Sequence, residues 1–258
     1  MTNAALELTE ATGRVVVEDI AIPVPHQEPV QAYLVRPASE GSTPSPAVLF
    51  LHWLGEVNNG RAEYLGEALT LADRGVVSLL PAGHFPWVPD PDGTAVDVTR
   101  VRDQVAATRA VLDHLATDQA VDDSRIALVG HDYGAMYGAL VASCDHRVSA
   151  MVLAAPDALM GNWFAKHWLE LEGQPRDDYL GLFTGLDPVS RTGHLGHRLL
   201  FQWAGEDRYV GQGVRDAYAA RSPDAQVRLY ERAGHQLNDA ARADRLAFLS
   251  QELGLPAP

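Results

Sequence analysis

The chain has 258 residues, 47% of them hydrophobic, which suffices for one sizeable core and predicts a single α/β domain over residues 1–258. A formal net charge of −14 without any basic run speaks against nucleic acid and anionic membranes as partners, and no apolar stretch reaches transmembrane length. One cysteine, Cys144, excludes an intrachain disulfide and suits a reducing cytoplasm, and residues 1–10 lack the basic-then-apolar order of a secretory signal.

In chain order, residues 14–20 and 29–36 are β-rich runs around a Pro-rich turn, predicting an antiparallel hairpin at a sheet edge. Residues 47–51 form a fully apolar strand of the kind found inside a parallel sheet. A helix is expected over 60–74, a strand over 76–80 and a long amphipathic helix over 96–116. Residues 126–129 then lead into Gly130-His131-Asp132-Tyr133-Gly134 and a run of small apolar residues that reads as a buried helix. Strands are expected at 148–154, 199–204 and 226–230, with helices at 212–220 and 239–253. This alternation argues a mostly parallel, doubly wound sheet. Residues 156–197 interrupt it, hold no convincing strand, and are expected to form a small lid.

A strand, a turn with glycines at both flanks and a helix is the layout of a nucleophile elbow, with Asp132 at the nucleophile position. The bland alternative is that Asp132 merely caps the helix. Asp207 follows the strand ending at Ala204, and His235 follows the last strand, which completes the order nucleophile, acid, histidine. Asp157 is a rival for the acid because it follows the preceding strand.

With Leu51-His-Trp-Leu-Gly-Glu56, the elbow, Gly205-Glu-Asp207 and Gly234-His235 in this order, residues 14–253 resemble the α/β-hydrolase superfamily. The body resembles its dienelactone-hydrolase and prolyl-oligopeptidase-like branch. The elbow is instead similar to epoxide hydrolases and haloalkane dehalogenases, which use Asp as a covalent nucleophile. The resemblance implies an α/β-hydrolase fold and a catalytic set of Asp132, Asp207 and His235. Backbone N–H groups of Leu54 and Tyr133 would form the oxyanion hole.

A carboxylate is already charged and needs no base to attack an sp3 carbon. His235, oriented by Asp207, would then activate water against the ester formed on Asp132. Trp53, His131, Trp163, His167, Trp168 and Tyr179 are the candidates for substrate binding, with His131 read as packing under the elbow in preference to a catalytic role and Tyr179 as the lid phenol that protonates a ring oxygen. Tyr133, Tyr137 and Tyr209 lie near the site in sequence and could meet the same need. His52 and Glu56 flank the oxyanion loop, Trp87 is core or pocket wall, and Lys166 adjoins His167.

Epoxide opening is the first expectation for the substrate chemistry. An esterase or lactonase, a dehalogenase, and a non-hydrolytic member of the fold remain as alternatives. No metal cluster or phosphate loop is visible, so a small-molecule substrate and no cofactor are expected, and a homodimer is left open.

Overall fold

The structure is a computed structural model that describes residues 14–39, 41, 43–53, 60–86, 88–143 and 145–256. Leu54, Glu56, Trp87 and Cys144 lie outside the described residues.

Eight strands form one sheet: β1 (Val15–Ile22), β2 (Val30–Pro37), β3 (Ser45–Leu51), β4 (Val77–Pro81), β5 (Val121–His131), β6 (Val148–Ala154), β7 (Leu199–Ala204) and β8 (Gln226–Tyr230). Their order is β1-β2-β4-β3-β5-β6-β7-β8. β2 runs antiparallel to both β1 and β4, and every later pairing is parallel. The expected edge hairpin and parallel core are therefore both present.

Alternation along each central strand loads both faces. In β3, Ala47, Leu49 and Leu51 join one apolar cluster, while Val48 and Phe50 join the other. Both faces are covered by helices, so the strand needs no polar side, and each such buried Leu or Phe contributes roughly 1.5–3 kcal/mol. On one face lie α1 (Leu65–Ala72) and α7 (Asp239–Glu252). On the other lie α2 (Ala95–Thr117), α3 (Tyr133–Ala142) and α6 (Gln212–Arg221).

The helix expected over 60–74 is shorter than its pattern suggested. A 3-10 turn, Gly60–Ala62, comes first, and α1 begins only at Leu65. Glu63 is spent on the intervening turn, where its N–H donates to Gly60 O at 3.1 Å.

Residues 156–197 carry α4 (Met160–His167), α5 (Gly173–Leu182) and two 3-10 turns, with no strand among the described residues. Several hydrogen bonds tie this segment to the body, among them one of 2.8 Å between the Thr192 and Ser222 hydroxyls. The Tyr179 hydroxyl donates to Asp97 Oδ2 at 2.8 Å, and Trp168 Nε1 donates to Asp90 Oδ1 at 3.3 Å.

Candidate active site

Asp132 sits between the last residue of β5 and the first of α3, at φ 51° and ψ −115°. That is left-handed backbone, which costs a non-glycine residue roughly 1–2 kcal/mol. The turn is held by Asp132 N–H donating to Ala154 O at 2.8 Å and by Met136 N–H donating to Asp132 O at 3.0 Å. A Cβ at position 134 would stand 2.0 Å from Leu51 O, and one at 130 would stand 2.4 Å from Gly134 O. Strand, turn and helix approach so closely that only glycine fits at both flanks. Asp132 makes no side-chain cap bond to α3, so helix capping does not account for the residue.

The structure brings the three residues of the sequence motif order together. His235 Nδ1 lies 2.9 Å from Asp207 Oδ2, and His235 Nε2 lies 3.6 Å from Asp132 Oδ2. Asp207 Oδ1 accepts from the N–H groups of Tyr209 at 2.8 Å and Val210 at 3.1 Å, which fixes the carboxylate at the end of β7. Asp157 is not the partner of His235. Its carboxylate accepts from Leu159 N–H at 3.0 Å and from the Asn162 amide at 3.4 Å.

Burial works against the His235 imidazolium, but the flanking carboxylates of Asp132 and Asp207 outweigh it and raise the group from 6.5 to about 9. Burial likewise opposes the Asp207 carboxylate, yet His235 and the two backbone donors hold it below its ordinary range. Asp132 is 2% exposed, and its Oδ1 has no hydrogen-bond donor among the described residues. Tyr133, the first residue of α3, has no carbonyl one turn back to bond, so its N–H is available at the elbow.

A cleft of about 260 Å³ opens over Asp132 and His235, lined also by Trp53, Trp163, His167, Trp168 and Tyr209. Trp163 and His167 are four residues apart on α4 and face the cleft together. Trp163 Nε1 and His167 Nε2 are both buried without a partner among the described residues. Burial and the neighbouring Lys166 lower the His167 pKa against the pull of the Asp132 carboxylate. A second, mainly apolar hollow of about 40 Å³ lies behind Tyr133, lined also by His52, Trp53, Phe85 and Tyr137.

Four of the expected substrate-binding residues, Trp53, Trp163, His167 and Trp168, line the cleft. Two do not. Tyr179 is 3% exposed and committed to Asp97, whose carboxylate also gathers Asp92 N–H, Gly93 N–H and Arg100. Its hydroxyl is spent on anchoring α5 rather than offered to a ligand. His131 lies beneath the cleft, with Nδ1 2.7 Å from Glu63 Oε1 and Nε2 2.9 Å from His235 O.

Sequence reasoning missed Glu63 altogether. Burial opposes its carboxylate, but His131 outweighs that and holds it below its ordinary range. Tyr209 lines the cleft, as its position two residues after Asp207 hinted, with its ring 5.0 Å from that of His235. His52 Nδ1 donates to Trp53 O at 2.6 Å and its Nε2 accepts from Gly83 N–H at 2.8 Å, so the neutral ring ties the end of β3 to the loop after β4.

Among the described residues no cluster of three or more His, Cys, Asp or Glu could hold a metal ion, and no helix is long and apolar enough to cross a membrane.

No family model matches the chain, and no curated protein matches it in sequence. Solved structures do. A protein from Klebsiella pneumoniae subsp. pneumoniae assigned as a dienelactone hydrolase is similar at 17% identity and a TM-score of 0.65, over 92% of this chain and 99% of that one. The acetyl xylan esterase from Paenibacillus sp. R4 is similar at 17% identity and a TM-score of 0.73, over 93% and 85%. Oligopeptidase B from Leishmania major is similar at 13% identity and a TM-score of 0.70, over 94% of this chain but 37% of its own length. With its strand order and these likenesses, the chain has the α/β-hydrolase fold.

Proposed function

We propose that the protein is a hydrolase that opens the epoxide ring of a small hydrophobic substrate through a covalent ester on Asp132. One observation carries this reading: a buried carboxylate occupies the strained elbow, with His235 held between it and Asp207. In the first step Asp132 Oδ1, which no donor blocks, attacks a ring carbon. A new C–O ester bond forms, and the ring C–O bond breaks. The departing oxygen takes a proton from the Tyr209 hydroxyl, the one phenol among the described residues lining this cleft. The proton is restored from the His235 imidazolium, whose stabilising partner has just lost its charge. In the second step neutral His235 takes a proton from water, hydroxide adds to the Asp132 carboxyl carbon, and Tyr133 N–H receives the oxyanion. Collapse releases the diol and restores the carboxylate. The hydrolases and esterases among the fold neighbours support water as the final acceptor.

A second reading, displacement of a halide, is favoured by the unpartnered Trp163 indole N–H in the cleft. An indole can hold an anion but cannot supply a proton. One experiment separates the two. His235→Gln is mixed with styrene oxide or with an alkyl chloride, and its intact mass is measured. An epoxide adduct on the Asp132 peptide should add the whole substrate mass, whereas a chloride adduct should add the substrate minus HCl. No adduct with any probe, together with heavy oxygen from water in the first product of the native protein, would make Asp132 a general base and favour the esterase or lactonase alternative. A chain that turns over nothing would point to the non-hydrolytic one.

A further inference from the structure

Beside the Asp132–His235–Asp207 line lies a second acid–histidine pair that the proposed reaction does not use. His131 Nε2 stands 2.9 Å from the backbone oxygen of His235. A carbonyl can only accept, so this nitrogen carries a proton. His131 Nδ1 stands 2.7 Å from Glu63 Oε1, while Glu63 Oε2 accepts the N–H of Trp53 at 2.7 Å. An ionised Glu63 has only acceptors to offer, so Nδ1 carries a proton too, and His131 is an imidazolium. Its ring is 2% exposed, stacks on Trp53 at 5.7 Å and lies 5.2 Å from the ring of His235.

We propose that Glu63 and His131 are positioning residues for His235: a charged pair whose cationic ring clamps the main chain of His235 and stands as a fixed positive charge beside its imidazole. The idea rests on the reading of His235 as the base. His235 lies five residues beyond β8, in a loop whose backbone is held by Ala233 N–H donating to Tyr230 O, Glu206 N–H to Ala233 O and Leu237 N–H to Gly234 O. The bond from His131 is made at the working residue itself. Through Trp53, the same Glu63 also fixes the start of the loop after β3.

The charge has a direction. The titratable groups around the two rings are Glu63, His52 after β3, Asp132, Asp207 and Tyr209 after β7, and His167 on α4. The two carboxylates favour a protonated His235, which must give up its proton before it can act as a base, and the His131 cation opposes them. Without that cation, whose ring lies 5.2 Å from that of His235, the His235 titration should rise by about one pH unit.

The test needs no substrate. Protein labelled with nitrogen-15 in histidine is titrated by NMR, with signals assigned from His131→Gln and His235→Gln. In the native protein both His131 nitrogens should carry a proton at neutral pH, as their two acceptors require. Glu63→Gln should return His131 to one proton and raise the His235 titration by about one unit. His131→Gln keeps a donor for the His235 carbonyl but removes the charge, so it should reproduce the rise. This second variant decides the matter where Glu63→Gln does not fold, and circular dichroism checks both. A native His131 with one proton at neutral pH, or a His235 titration unmoved in a folded variant, overturns the proposal. Because the protein is substrate-free, failure to trap an adduct on Asp132 would sink the reaction scheme and leave this result standing.

Discussion

A histidine between two carboxylates ties stability to pH with a definite sign. His235 binds its proton more tightly folded, at about 9, than at its ordinary value of 6.5. The stabilisation is fully present below 6.5 and is lost as pH rises through the folded value. The stability advantage of the native protein over His235→Gln, measured by urea unfolding, should shrink by on the order of 3 kcal/mol from about pH 6 to about pH 10. An advantage that is flat across that range would show that the imidazolium is not held by the pair. At this scale the sequence disclosed what order and spacing can disclose. Asp132, Asp207 and His235 follow strands in a recognisable succession. Glu63 does not: it lies 68 residues from His131, directly after no strand and in no motif, and only the fold sets the turn before α1 against the end of β5.

At the scale of elements, the inserted segment divides its aromatic residues between two tasks. Trp163 and His167 on α4 face the cleft, whereas Tyr179 on α5 reaches Asp97 at the start of α2. From sequence both sets look alike, since an aromatic residue near a site carries no mark of the direction in which its helix turns it. The two phenols should therefore separate cleanly. Tyr179→Phe should cost about 1–2 kcal/mol in unfolding free energy, because a buried bond to a carboxylate is lost, and should leave epoxide turnover unchanged. Tyr209→Phe, at a residue 46% exposed, should leave stability within about 0.5 kcal/mol but slow ring opening roughly 100-fold or more. Stopped-flow quenching of tryptophan fluorescence on mixing with styrene oxide reads the second effect, and the opposite pattern would return the acid to Tyr179. The elements themselves were legible wherever periodicity ruled, as in α2 and β3. They were not where a side chain left the pattern for a distant partner, as at Glu63. The strand β5 begins at Val121, ahead of its apolar run, a start the sequence hides because Asp123 and Ser124 are exposed and carry no hydrophobic signal.

Across the whole molecule, the two helices on one face are joined by a buried ion pair. Arg245 on α7 donates to both oxygens of Glu67 on α1 and, at 2.6 Å, to Gln202 on β7. Gln202 in turn donates to the Tyr230 hydroxyl at 2.9 Å, at the end of β8. Arg245→Ala would leave Glu67 charged and unpaired in the interior, so it should cost about 3–5 kcal/mol. Arg245→Ala paired with Glu67→Ala in a double-mutant cycle should recover part of that loss, and additive effects would mean that the pair is not coupled. The doubly wound plan was readable from alternation alone, but this link was not, because α1 and α7 stand 178 residues apart at Glu67 and Arg245.

The same plan hangs the imidazole of His235 on the outermost strand. β8 has five residues, one neighbour and two exposed hydrophobics, Val227 and Leu229, while Asp132 leaves the fully flanked β5. Rims of sheets open at lower free energy than their centres. Warming should therefore silence the water-activating half of the reaction while the nucleophile is still in place. The working temperature of such a catalyst is set by its rim, and its first thermal casualty would be turnover rather than capture of the substrate.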